Sequence, residues 1–483
     1  MKNVVINRVL PFFHKKLFVF LGITTILLAL NLIRKDFTFY YDASGYWNYK
    51  NLFENSGSFS LLNYNEAIRG YLFPFINFLI SKIASIVKIT DYILYEIIFS
   101  IIYAWFLVYI IPDLVSILFK KQIKQYQIIM FNLLAIIFWR DYYFYPLSDL
   151  ISFMFLILGI YFTILSSRHK TYTLLAGLFV FGTVVIRPSY QIVLIPFVIW
   201  LFIYYWKTQK FSIGQIGVRL GLLFLGGIII LSPQIAININ HFNSFSPFVQ
   251  TQKAYGDDLF SLQLKWGIEL QKYDTYVGNE FQSASIIYFD HQGENILLDA
   301  GLKQKSLIEG GSIRTEQAIS VRKYLGLIRR YPLDFMAIYF RHLFNGLDIV
   351  YNTPYIKDIY GGTLSLRFLN YLVWFLCLFS TKHLVNNKIT NKLNLLIVAI
   401  IALPSLASIP TAIEVRFMLS IHFMAYAYLS FFYDINIIKH LIQEKKILLF
   451  GIFLFLVFFF LCLTISLNTS MTIILGKYLL GSG

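Results

Sequence analysis

The chain has 483 residues, of which 58% are hydrophobic and only 14% charged, and its mean hydropathy is +0.65. That is too apolar for an ordinary soluble domain and marks a polytopic membrane protein. The 41 Lys and Arg against 25 Asp and Glu give a net charge of +16, but the basic residues gather in short segments between apolar runs, as in cytoplasmic loops, so no nucleic-acid partner is expected. Cys377 and Cys462 both lie inside apolar runs, and neither a disulfide framework nor a thiolate metal site is expected of them.

In chain order, "MKNVVINRVLPFFHKK" leads into an apolar run with no small-residue cleavage site behind it, which reads as an uncleaved first span over 17–33. Further spans are expected at 93–118, 126–139, 149–166, 172–186, 188–206, 217–236, 364–380, 393–412, 416–433 and 447–467. The expected architecture is therefore an all-α polytopic membrane protein of about 11 transmembrane helices, with interfacial helices and a polar outer-face subdomain. A cytoplasmic N-terminus puts the short basic loops inside: Lys120, Lys121 and Lys124; Arg168 and Lys170; Lys207 and Lys210; Lys382, Lys388 and Lys392; Lys439, Lys445 and Lys446. The segments 34–92, 140–148, 237–363 and 413–415 are then outside. Three regions result: an N-terminal transmembrane module, 1–236, carrying an interfacial helix at 71–89; an extracytoplasmic subdomain, 237–363; and C-terminal transmembrane helices, 364–483.

The 71–89 stretch carries Asn77, Ser81, Ser85 and Lys88 at helical spacing, the pattern of a helix lying in the interface. Residues 334–350 repeat it with Arg341, Asn345 and Asp348 on one stripe.

Charges at membrane spans are costly, so they direct attention to candidate chemistry. Asp42 sits among interfacial aromatics in "FYYDASGYW", with Tyr41 and Trp47 offering faces for a sugar ring or simply anchoring the loop. Beyond it, a segment returns to the interface through Arg69 and Pro74. Asp141 adjoins Arg140, with which it can pair, and Asp149 is placed to cap the next helix. Arg187 and Arg416 stand at the same expected membrane level; arginine presents a fork suited to phosphate oxygens, although Glu414 offers Arg416 an internal partner. Arg367 reads as snorkelling to headgroups, and His422 as a packing histidine. Asp290 and His291, in the polar region, are further candidates to reach a substrate.

The first-loop acid after the first span, "RGYLFPF", "YPLSDLISFMFLILGIYF", "AGLFVFGTVVIRPSYQIVLIP" and the late "EVRFMLSIHFMAY", in this order and sidedness, resemble the GT-C superfamily of integral-membrane glycosyltransferases, which includes protein O-mannosyltransferases and the lipid A aminoarabinose transferase. The resemblance implies an inverting transfer of a sugar from a polyprenyl-phosphate donor to a glycan, lipid or protein acceptor on the outer face of the plasma membrane. It assigns Asp42 to the family's first-loop base or metal partner, Asp141 to the second acid of some members, and Arg416 to the late arginine near the donor phosphate. A divalent cation, Mg or Mn, would be held by Asp42 and Asp141; the chain departs from the commonest pattern in having one acid, not two, at the first position. Arg187, Arg69, Tyr41, Trp47 and Glu414 complete the substrate-binding set. The alternatives are an O-antigen-type polymerase or ligase, in which Arg314 and the arginines of "RKYLGLIRRYPLDF" would act, and a transporter or flippase of lipid-linked glycans.

Overall fold

The structure is a computed structural model of the chain and describes residues 2–34, 38–277, 283–302, 318–359, 361–386, 392–432 and 444–476. It is built mainly of α-helices. Among the described residues seven helices are long and apolar enough to cross a membrane: Lys16–Ile33, Asp91–Phe119, Ser148–Leu165, Pro188–Thr208, Ile213–Phe242, Val415–Phe432 and Lys445–Ser470. Shorter apolar helices cover Leu72–Val87, Thr171–Ile186, Leu364–Phe379 and Lys392–Ala407. The chain is thus a multi-pass membrane protein in architecture. It divides into two compact units, Met1–Gln250 with His383–Leu403, and Thr251–Lys382 with Pro404–Gly483.

The first unit contains α1 (Lys2–Ile33), α2 (Tyr41–Asn48), α3 (Leu72–Val87), α4 (Asp91–Phe119), α5 (Gln125–Trp139), α6 (Ser148–Leu165), α7 (Thr171–Ile186), α8 (Pro188–Thr208) and α9 (Ile213–Phe242). α1 and α4 run antiparallel: Lys16 pairs with Asp113 at 2.6 Å, and Phe20 meets Tyr109 with ring centroids 5.8 Å apart. Pro112 cannot donate to the carbonyl one turn back, and just before it the helix widens into a π turn over Phe106–Ile110. Apolar area gives helices little reason to associate in lipid, and close backbone approach takes its place. α7 and α9 show it: a Cβ on Gly177 would lie 2.1 Å from the Leu223 carbonyl oxygen, and one on Gly226 2.4 Å from that of Leu174. Inside α9, Pro233 leaves a carbonyl without its helical donor, and the Ser232 hydroxyl donates to Ile229 O at 3.3 Å.

One end of this unit is covered by segment 38–90. Tyr71 N–H donates to the Gln234 side-chain oxygen at 3.1 Å and its hydroxyl to Ile230 O at 2.9 Å, both on α9. Lys50 pairs with Asp91 at the start of α4. Only the second half of the stripe on α3, Ser85 and Lys88, is exposed. Asn77 is buried and donates to Tyr46 O at 3.1 Å, Ser81 donates to Asp91 at 3.1 Å, and the exposed face carries Leu79, Ile83 and Ile86 beside Ser85 and Lys88. Segment 38–70 takes up the Asn77 amide through the Tyr46 carbonyl, and Asp91 at the start of α4 takes up Ser81, so that these donors are paired.

The second unit contains α10 (Leu259–Glu269), β1 (Leu270–Val277), β2 (Ser283–Phe289), α11 (His291–Asp299), α12 (Val321–Arg330), α13 (Pro332–Leu347), β3 (Tyr355–Ile356), α14 (Leu364–Asn386), α15 (Lys392–Ala407, shared between the units), α16 (Leu419–Phe432), α17 (Lys445–Ser470) and β4 (Ile473–Gly476). The strands form one sheet in the order β3-β1-β2-β4, with β1 and β3 parallel and the other neighbours antiparallel. α10 to α13 bury a core that includes Leu264, Ile268, Leu297, Leu327, Phe335 and Ile338. The polar stripe of α13 is turned inward. Arg341 pairs with Asp290 at 2.7 Å, Asn345 donates to Gln271 O at 3.2 Å, and Asp348, just beyond the helix, accepts from Tyr371 at 2.8 Å and Ser466 at 2.5 Å. The stripe therefore fastens α13 to β1, α14 and α17, a use that amphipathic spacing alone does not distinguish from an interfacial face.

Candidate functional site

Asp42 lies in the first turn of α2, entered through Tyr41, whose φ of +43° is a left-handed conformation that costs a residue with a side chain about 1 kcal/mol. The turn aims the Asp42 carboxylate at Arg69, 2.5 Å away, with both side chains partly exposed. The Arg69 guanidinium also stands 5.2 Å from the centre of the Tyr46 ring. Tyr49 and Glu66 belong to the same cluster: burial, reinforced by the Glu66 carboxylate that its hydroxyl meets, pushes Tyr49 up to about 12. The hydroxyl of buried Tyr64 donates to Arg69 O at 2.9 Å and fixes the backbone that carries the arginine.

The next residue, Gly70, decides where the cluster sits. It presses against the last turn of α7 so closely that a Cβ there would lie 1.9 Å from Val185 O. Two residues beyond Val185, Arg187 pairs with Asp149 at 2.5 Å and donates to Ser148 at 3.3 Å, at the start of α6. Asp149 is almost fully buried; the N-cap position is Leu147, and the Asp149 carboxylate holds an arginine in place of the capping role expected of it. Two carboxylate–guanidinium pairs thus flank one backbone contact at the covered end of the first unit.

The remaining candidates have partners of their own. Asp141 takes Arg140 as partner at 2.7 Å, and Tyr145, nearby, is itself covered by Arg34, 4.0 Å from its ring centre. Trp47 offers no open face for a sugar on the side where Lys50 stands, 3.4 Å from its ring centre; Phe39 and Tyr95 meet it edge-on. Glu414 and Arg416 form a two-pronged pair at 2.6 and 2.9 Å in the second unit. Asp290 is buried, caps α11 by accepting from Gly293 N at 3.0 Å and holds Arg341, which removes it from the substrate candidates, whereas its neighbour His291 is exposed. His422 is buried, its Nε2 3.2 Å from Gly346 O. Arg322, Arg329 and Arg330 are exposed on α12, and Arg314 lies outside the described residues.

No group of three or more His, Cys, Asp or Glu is placed to hold a metal ion among the described residues. Asp42 and Asp141 each face a guanidinium, a donor set unlike that of a hard cation, which is held by several oxygens. Glu66, Tyr49 and Asp149 are the members of the cluster that sequence reasoning missed or used otherwise. Their signal was present: Glu66 precedes Arg69 by three residues, and Asp149 and Arg187 stand at the start and end of successive spans. Compared with protein-family models, curated proteins and solved structures, the chain gives no match.

Proposed function

We propose that the protein is a membrane glycosyltransferase that passes a sugar, with inversion, from a polyprenyl-phosphate donor to a glycan, lipid or protein acceptor at the extracytoplasmic face of the plasma membrane. The observation that supports this reading is the contact of Gly70 with Val185, which sets the Asp42–Arg69 pair beside the Asp149–Arg187 pair. One carboxylate and two guanidiniums on neighbouring segments are the groups that such a transfer needs.

The acceptor hydroxyl gives its proton to Asp42 as its oxygen attacks the anomeric carbon. The bond from that carbon to the phosphate oxygen breaks, and the lipid phosphate leaves with the electron pair. Arg69 and Arg187 meet the growing charge on the phosphate, exchanging part of their carboxylate contacts for it. Buried Asp149 holds Arg187 in place, so that the fork is oriented before substrate arrives.

The test is binding of polyprenyl phosphate against polyprenol, the same lipid without phosphate, to the full-length protein in nanodiscs. The reading expects a clear preference for the phosphate lipid that Arg69→Gln weakens by about tenfold. Equal binding of the two lipids would remove the donor assignment.

A further inference from the structure

The second unit holds a cavity of about 310 Å3 that the proposed transfer does not use. Gln271 on β1, Arg341 and Asn345 on α13, Asn468 and Thr469 in the last turn of α17, and Thr472 next to β4 build its wall. The volume is at the small end for ligand sites, which run from about 300 Å3 upward, and most of the residues that line it, Gln271, Asn345, Asn468, Thr469 and Thr472, bring an amide or a hydroxyl to a surface that is mostly carbon.

Its floor is fixed. Asn345 and Thr469 are buried, the Thr469 hydroxyl donating to the Asn345 side-chain oxygen at 3.2 Å and the Asn345 amide to Gln271 O at 3.2 Å. Arg341 is engaged by Asp290 through two nitrogens, at 2.7 and 2.8 Å, and by Gln292 at 3.0 Å, so its charge is neutralised at the wall. The cavity consequently suits an uncharged ligand better than a phosphate. Amides and hydroxyls both donate and accept, which is what a ring of sugar hydroxyls requires. Asn468 is exposed, and its side chain has no hydrogen-bond partner among the described residues.

The position of the cavity adds a second property to the ligand. It lies where a membrane-length helix gives way to a strand, and Ile465, which lines it, is itself exposed. Leu461 and Val457, each one turn earlier, are exposed, continuing an apolar strip along α17. We infer that this cavity binds the saccharide head of a glycolipid, a single neutral sugar ring, with the lipid chain lying along Val457, Leu461 and Ile465. The inference goes beyond the transfer proposal and needs no activity at Asp42.

The experiment tracks amide hydrogen exchange over 270–277 and 471–476 in the full-length protein, held in phosphatidylcholine nanodiscs. Monoglucosyl diacylglycerol, diacylglycerol or free glucose is added at matched concentration. The glycolipid is expected to slow exchange in both segments, and diacylglycerol and glucose to leave it unchanged. Asn468→Leu, a change at an exposed position, and Thr472→Val should each weaken the glycolipid effect about fivefold or more, while exchange without ligand matches the parent elsewhere. Equal protection by diacylglycerol or by glucose, or unchanged glycolipid binding in both variants, would overturn the inference. Loss of sugar transfer in an Asp42 variant would not move this readout, so the two proposals fail separately.

Discussion

Replacing Gly70 by Ala adds one methyl group and touches no charge, yet it should damage both stability and activity. The added Cβ would lie 1.9 Å from Val185 O and 2.9 Å from Val185 C, both backbone atoms at the end of α7. An ordinary contact of this kind needs well over an ångström more, and neither side can yield by a rotamer change; the segment carrying Arg69 has to lift from α7. Overpacking of this sort costs about 1–3 kcal/mol. Gly221→Ala in α9 is the control, since a Cβ there meets nothing within 4 Å and alanine is the better helix former by roughly 0.5–1 kcal/mol. Thermal unfolding in one detergent, then sugar transfer at a temperature where both variants are folded, reads the two effects apart. Gly70→Ala should unfold at a lower temperature and transfer more slowly, and Gly221→Ala should match or exceed the parent. A Gly70→Ala protein as stable and as active as the parent would refute the argument that this contact sets the two charged pairs together.

Arg187→Gln leaves the buried Asp149 carboxylate without its partner and should cost about 3–5 kcal/mol, whereas the double change Asp149→Asn with Arg187→Gln should recover much of that loss; thermal unfolding of the three proteins compares them, and a double variant no better than the single one would count against the pair. His342 is buried between Ile409 O and Leu270 O, and burial pulls its ring below 6.5 against the pull of those carbonyls. Because the folded ring lies below the value of the unfolded chain, the stability this group carries is complete above 6.5 and is lost as pH falls below that value, by up to about 1.4 kcal/mol per pH unit until the folded ring also protonates. His342→Gln should flatten that part of the stability profile, and an unaltered slope would assign it to other groups.

The helices were legible because apolar runs bounded by basic clusters leave few alternatives, and every stretch read as a span is helical over most of its described length. The partners of polar residues on those helices were not. Asn77, Arg341 and Asn345 have the spacing of a wet face, but a folded segment, the start of a helix and a strand respectively supply their partners, and one-dimensional periodicity does not reveal what covers a face. The sheet escaped for a related reason: β1 finds β3 and β2 finds β4 across intervals of dozens of residues, the last strand lying beyond a membrane-length helix. At the candidate site, Asp42 and Arg187 stood out as charges beside spans. Their partners Arg69 and Asp149 were visible too, but only the close packing of Gly70 on α7 connects the pairs, and a glycine gives no sign in sequence of which backbone it admits.

The most direct measurement is a single-turnover transfer assay with purified parent and Asp42→Asn protein, each saturated with a polyprenyl-phosphate sugar and offered an acceptor carrying a free hydroxyl. Loss of a general base should slow the chemical step by about 10²- to 10⁴-fold while donor binding stays within a few-fold of the parent. Equal rates of transfer by the two proteins, with donor bound to both, would contradict the role given to Asp42.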